Sequence, residues 1–280
     1  PLFFPGGDIG KLAVYGTVND LWMMGAVPRY LTAGFILEEG LDISALERVV
    51  RSMGEAARES GVLVVACDTK VVESKGAAES EGGLYINTSG IGFLRYDREL
   101  GGSKAGPGDK IIVSGPLGNH QACILSRRMD IKNNIASDCA PLGEMVRRLL
   151  EENVRVNVLR DITRGGLATV ANEIAASSGV GMVLREDSLP VDPPVAALCD
   201  ILGLDPLYMA NEGKFLCIVQ ADDAERALAV IRENPRGANA AIVGEVTPAG
   251  GSKPRVVVAT RFGGRRIADI LYGEGLPRIC

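Results

Sequence analysis

The spacing of apolar positions divides the chain into alternating helical and extended segments. Between Asp8 and Gly25, Leu12, Val14, Val18, Leu21 and Trp22 recur close to a helical period. Asp8 is placed to cap the first turn, and Gly25 and Pro28 close the last. Residues 29–37 (RYLTAGFIL) form a β-rich run. Asp42 or Ser44 opens a second helix reaching about Ser60, with Leu46, Val49, Val50, Met53 and Ala57 on one stripe and Gly61 as its stop. Residues 62–65 (VLVV) read as a short buried strand, 73–83 as a charged, small-residue loop, and 84–94 as a further strand.

A polar, glycine-rich break at 97–109 separates this half from the next. Beyond it the pattern predicts a strand at 110–114 and helices near 118–128, 141–152 and 165–178. Strand-like runs follow at 180–185, 214–221, 240–246 and 255–261, with helices at 192–203 and 222–233 between them. The chain is therefore predicted to be α/β, more narrowly α+β. Its parts are an N-terminal domain over 1–97, a C-terminal domain over 98–262 and a tail over 263–280. The tail has room for one short helix before Gly273-Glu274-Gly275-Leu276-Pro277, and its end is predicted to be extended and mobile.

Composition narrows the functional classes. The 280 residues suffice for one large domain or two ordinary ones, with 46% hydrophobic and 23% charged residues, as in folded globular proteins. The net charge of -5 and 5% aromatic content argue against nucleic acid as a partner. No apolar run approaches the ~20 residues that a membrane-spanning helix needs. The six cysteines form no CxxC pair and the lone His120 has no HExxH context, so neither a zinc site nor a disulfide framework is indicated. A reducing, cytoplasmic setting is the expectation, and the Asn87-Thr88-Ser89 sequon is set aside.

Candidate chemistry lies elsewhere. Gly6-Gly7-Asp8-Ile9-Gly10-Lys11 looks like a phosphate loop, but Pro5 stands where the first glycine belongs and Leu12 where Ser or Thr belongs. Its backbone could still hold an anion at the helix start. Four acids stand out: Asp20 in an otherwise apolar helix, Asp68 after a strand, Asp161 at a strand end before Gly165-Gly166, and Glu212 in Asn211-Glu212-Gly213-Lys214. Each taken singly reads first as a cap or turn residue, and second as a hard oxygen ligand for Mg²⁺ and nucleotide phosphates. Cys280, the final residue, is either an accidental terminus or a nucleophilic thiol on an arm of about eight extended residues reaching roughly 25 Å.

The pieces PLFFPGGDIGKLAVYGTVNDL, DTKVV, INTSGIG, RDITRGGL, NEGK and terminal PRIC, spread over the whole chain, resemble the HypE family of hydrogenase maturation proteins. That family shares its superfamily with aminoimidazole ribonucleotide synthetase and selenophosphate synthetase. DTKVV and PRIC are particular to the HypE branch. The resemblance implies a two-domain fold, a homodimer built through the N-terminal sheets, and an ATP cleft between domains. It implies that a HypF-like carbamoyltransferase loads a carbamoyl group onto Cys280. ATP then phosphorylates the carboxamide oxygen, and loss of phosphate leaves a thiocyanate. The cyanide passes to an iron-carrying complex resembling HypC–HypD, for nickel–iron hydrogenases.

By the same resemblance Asp20 and Asp161, and with them Asp68, fall to Mg²⁺ and the ATP phosphates, with Asn19 and Thr69 beside the nucleotide. Lys70 and Glu212 fall to charge stabilisation and proton abstraction at the tail carboxamide, with a salt bridge and a turn as their plain alternatives. The chain departs from the family at Cys67, where glycine is usual, and at Gly118-Asn119-His120-Gln121, where Gly-Asp-His-Gly is usual. A further N-terminal segment is expected to precede Pro1 in the intact protein. Two other function classes stay open: another ATP-dependent enzyme of the superfamily acting on a small metabolite, and a non-enzymatic thiol carrier or scaffold.

Overall fold

The computed structural model describes residues 1–74, 83–96, 100–251 and 253–271. A short hairpin, β1 (Phe3–Phe4) and β2 (Gly7–Asp8), leads into α1 (Ile9–Met23). Asp8 caps that helix: its Oδ1 accepts the amides of Gly10 at 2.8 Å and Lys11 at 3.0 Å, and the Ser52 hydroxyl at 2.6 Å. The chain's own carboxylate thus takes the amides that the glycine-rich stretch could have offered an anion. Charge at a helix start is satisfied internally here.

β3 (Ala26–Glu38), α2 (Ile43–Ser60), β4 (Leu63–Val72) and β5 (Leu84–Leu94) complete the first half. The sheet order is β4-β3-β5, with β3 parallel to β4 and antiparallel to β5. Period-two alternation gives β3 two faces. Leu31, Ala33 and Phe35 are buried in one core cluster with Val14, Val18 and Trp22 of α1 and Val49, Met53 and Ala56 of α2. The other face is open: Tyr30, Ile36, Leu63, Tyr85, Ile91 and Phe93 are all exposed there. The apolar run at 62–65 was expected to be a short buried strand. It is instead the start of a ten-residue edge strand, largely exposed. β-Branched residues mark a strand without saying what covers it.

The second half is a seven-stranded sheet, among the described residues, with helices against it. Its strands are β6 (Lys110–Val113), β7 (Val156–Asp161), β8 (Val180–Arg185), β9 (Phe215–Val219), β10 (Ala241–Pro248), β11 (Val256–Ala259) and β12 (Arg265–Ile267), in the order β12-β11-β8-β10-β6-β9-β7. All neighbours are antiparallel except β11 and β8. The helices are α3 (Asn119–Arg128), α4 (Gly143–Glu151), α5 (Gly166–Ser178), α6 (Pro193–Leu202) and α7 (Ala224–Arg232). The short helix expected after residue 262 gives way, over 265–267, to β12, because a turn through Gly263 (φ +82°) folds the chain back on β11. The rest of the expected tail, with Cys280, lies outside the described residues. Among the described residues, no helix is long and apolar enough to cross a membrane.

The two sheets share one core. Trp22 of α1 packs so closely on α4 that a Cβ at Gly143 would fall 2.3 Å from its indole nitrogen. Asn19 bridges the halves by donating to the Ala140 carbonyl at 3.1 Å and accepting the Leu142 amide at 2.9 Å. Arg236 reaches back to Glu59 at 2.7 Å, and Glu59 also accepts the Tyr15 hydroxyl at 2.5 Å.

Candidate active site

A cleft of about 380 Å³ opens between α1, the start of β5 and the loops that follow β7 and precede β9. Ile9, Leu12 and Tyr85 line its apolar side, while Asp20, Asp161, Arg164 and Glu212 supply its charge. Local sequence explains each placement. β7 ends at Asp161, and the turn to α5 runs through Gly165 (φ +80°) and Gly166 (φ +63°). At Gly166 a Cβ would strike the Leu207 carbonyl at 2.4 Å, so the close approach needs glycine. Asn211 fixes the opposite loop: its side chain accepts the Gly118 amide at 2.8 Å and donates to the carbonyls of Ile162 at 3.1 Å and Met209 at 3.2 Å. That buried amide welds the Asp161 and Glu212 segments into one wall.

The acids repel one another in a poorly solvated place. Burial first, and the Asp20 charge second, push the Asp161 carboxyl up to about 6. Burial, then Asp138 and Asp161, push Glu212 up to about 8, against the pull of Arg164. Asp20 is also raised by burial, offset by Arg160. A cleft that disfavours its own negative charge suits a cation-bearing ligand. Among the described residues, no three His, Cys, Asp or Glu side chains are grouped so as to hold a metal ion by themselves. Asp20 and Asp161 are hard oxygen donors of the kind Mg²⁺ takes, an ion that commonly binds through one or two carboxylates plus phosphate oxygens.

The remaining expected site residues separate from this group. Asp68 and Lys70 lie on the open face of β4, paired at 3.1 Å, with side chains 74% and 70% exposed. They line a smaller pocket of about 190 Å³ that shares only Tyr85 and Ile86 with the main cleft. The Lys70 ammonium holds the Asp68 carboxyl below its usual range. Thr69 takes the opposite face of the strand by alternation. Asn19 is spent on the Ala140–Leu142 backbone and acts as a brace rather than facing the cleft. Cys280 lies outside the described residues. Two groups that pattern reading missed sit behind Glu212: Asp138 and Lys214, a buried pair 3.3 Å apart. Lys214 belongs to a motif picked out in the sequence, but Asp138 lies in the aperiodic stretch before α4, where no pattern marks it.

Comparison with known proteins agrees with this architecture. The family described as AIR synthase related protein, N-terminal domain, matches residues 1–94, and its C-terminal counterpart matches 106–257. Carbamoyl dehydratase HypE of Cupriavidus necator is 51% identical over 282 residues, spanning 100% of this chain and 79% of that protein. A solved structure of hydrogenase maturation protein HypE in complex with ATP superposes with a TM-score of 0.94 at 50% identity, covering 100% of this chain and 84% of that one. A structure of a HypE–HypF complex superposes with a TM-score of 0.91 at 45% identity, covering 97% and 87%.

Proposed function

The chain belongs to the HypE family of AIR synthase-related proteins, and on that premise we propose that it is an ATP-dependent carbamoyl dehydratase of hydrogenase maturation. The observation that carries this reading is the match, at 51% identity over the whole of this chain, to a carbamoyl dehydratase. The acid-lined cleft supports it. The substrate is a carbamoyl group carried on Cys280 as a thiocarbamate, with the sulfur bonded to the carboxamide carbon. The γ-phosphoryl of ATP passes to the carboxamide oxygen, which converts a poor leaving group into phosphate. The nitrogen loses both protons as the C–O bond breaks, leaving S–C≡N, ADP and phosphate.

Asp20 and Asp161 are the hard oxygen donors that would hold Mg²⁺ against the nucleotide phosphates, and the metal would offset charge on the transferring phosphoryl group. Glu212, with its carboxyl raised to about 8, is the base for the nitrogen protons, since a base works best when its pKa lies near the working pH. Lys70, with Asp68, meets the same ligand from beyond the Tyr85–Ile86 rim, where its ammonium stabilises negative charge on the phosphorylated oxygen.

A HypF-like carbamoyltransferase supplies the loaded tail, in keeping with the solved HypE–HypF complex. An iron-carrying complex resembling HypC–HypD receives the cyanide. The open face of the N-terminal sheet suits a second copy of the chain, because unpartnered apolar side chains of that number mark an interaction surface. The setting is the cytoplasm, where a carrier thiol stays reduced. The test is the mass of the tail peptide after incubation with a HypF-type protein and Mg-ATP. A carbamoyl adduct converting to a cyano adduct only with ATP is the expected result. A persistent carbamoyl adduct with ATP hydrolysed would overturn the reading.

A further inference from the structure

Glu212 is followed two residues later by a cation, yet the Lys214 side chain does not turn to it. The Lys214 ammonium points back to Asp138 at 3.3 Å and to the Gly213 carbonyl at 3.2 Å, and both charged side chains are nearly buried, at 9% and 5% exposure. The two oxygens of Asp138 also accept successive backbone amides, Glu212 N–H and Gly213 N–H, each at 3.1 Å. A return bond runs from the Ala140 amide to the Glu212 carbonyl at 3.3 Å.

Two glycines make the arrangement possible. A Cβ on Gly213 would lie 1.9 Å from the Asp138 carbonyl oxygen, and one on Gly115 would lie 2.9 Å from the Lys214 stem. The same loop is anchored to α1 through Asn19, next to Asp20. Among the described residues, the Glu212 carboxylate itself forms no ion pair. The charged and titratable groups acting on it are Asp138, Asp161 and Asp20, opposed by Arg164, with Cys139 on the same loop.

We propose that Asp138 is a positioning residue for Glu212: it clamps the 212–213 backbone and sequesters the Lys214 ammonium, so that the Glu212 carboxylate faces the cleft as an unpaired base. This rests on the dehydratase reading and on Glu212 as its base. The division of labour is chemically plain. A buried cation must be paired, and pairing it with Asp138 keeps it off the carboxylate that has to accept a proton. Were Lys214 free to reach Glu212, it would favour the charged form and make it a weaker base.

The test is single-turnover conversion of carbamoyl-loaded full-length protein to the cyano form, followed by tail mass across pH. Asp138→Asn keeps the shape but frees Lys214. Its plateau rate above the acid limb should fall about tenfold or more, and the limb itself should move down by about one pH unit. Lys214→Gln leaves Asp138 clamping both amides with its charge uncompensated, so the limb should move up. The double variant should return the limb toward wild type. This pattern of opposite shifts and rescue is not expected from a purely structural role, which would lower stability while leaving the limb in place.

If Asp138→Asn fails to fold, Lys214→Gln carries the test alone. An unmoved limb in the folded variants overturns the proposal while leaving the dehydratase reading intact. Normal conversion by Glu212→Gln would remove the base itself and the positioning role with it. Absence of any cyano product from wild type would instead strike the functional reading.

Discussion

At the scale of single residues, the cleft is organised by the cost of its own negative charge. Glu212 has its carboxyl raised from 4.5 to about 8. A raised carboxyl contributes stability that is complete below the unfolded pKa and is lost as pH climbs through the folded one. Wild type should therefore lose stability between about pH 5 and 9, whereas Glu212→Gln should keep it. The two proteins should unfold alike near pH 5, with the variant more stable by roughly 1–3 kcal/mol at pH 9, discounted for solvent reaching the cleft. Urea melts at the two pH values check this, and a constant difference would show that Glu212 is not held near neutrality. Asp20 and Asp161 lead to a second expectation. Asp161→Asn and Asp20→Asn should each weaken Mg-ATP binding at least about tenfold, yet leave thermal stability unchanged or raised, because each removes repulsion along with a hard ligand. Calorimetric titration of both variants decides it, and unchanged affinity would return these acids to a capping role.

At the scale of elements, exposure separates what pattern can tell from what it cannot. β3 reads correctly as a run of β-rich residues, and α1 from its spacing and the Asp8 cap, because both signals are local. β4 was legible as a strand but not as an open edge, since burial depends on what docks there. The Asp138–Lys214 pair was invisible for a related reason: its partners come from segments distant in sequence, joined only once β9 and the loop before α4 pack. Asp20, Asp161 and Glu212 could be singled out in the sequence, but only folding shows that they share a cleft while Asp68 and Lys70 lie on another face. The open face of β3, β4 and β5 carries its own prediction. Ile91 and Phe93 are 60% and 54% exposed, so replacing both with Glu should cost the subunit's fold little, about 0.5 kcal/mol or less each. The double variant should nevertheless shift a dimer to monomer, because buried like charges oppose self-association. Light scattering measures the outcome, and an unchanged mass would place the self-contact elsewhere.

For the whole molecule, the two sheets are held as one body, and in the proposed reaction the group to be dehydrated is brought to their cleft on Cys280. Trp22 against Gly143, the Asn19 bracket and the Glu59–Arg236 contact fix the cleft walls relative to each other, which holds Asp20 of α1 in register with Asp161 and Glu212. Pre-organised walls lower the cost of orienting charge during phosphoryl transfer. They cannot supply the carbamoyl carbon, which in this reading travels on Cys280. The two functions should therefore come apart under substitution. Cys280→Ala removes the sulfur and leaves Asp20, Asp161, Arg164 and Glu212 unsubstituted, so Mg-ATP affinity should stay within about twofold of wild type. The same variant should take up no carbamoyl group from a HypF-type protein and yield no cyano adduct, as read by the mass of the tail peptide. ATP turnover that depends on loading should vanish with it. If the Cys280→Ala protein still gained the adduct, the carrier would be another thiol, and exposed Cys67 would be the first to examine. If ATP turnover continued at the wild-type rate without Cys280, the cleft would be acting on a free metabolite instead.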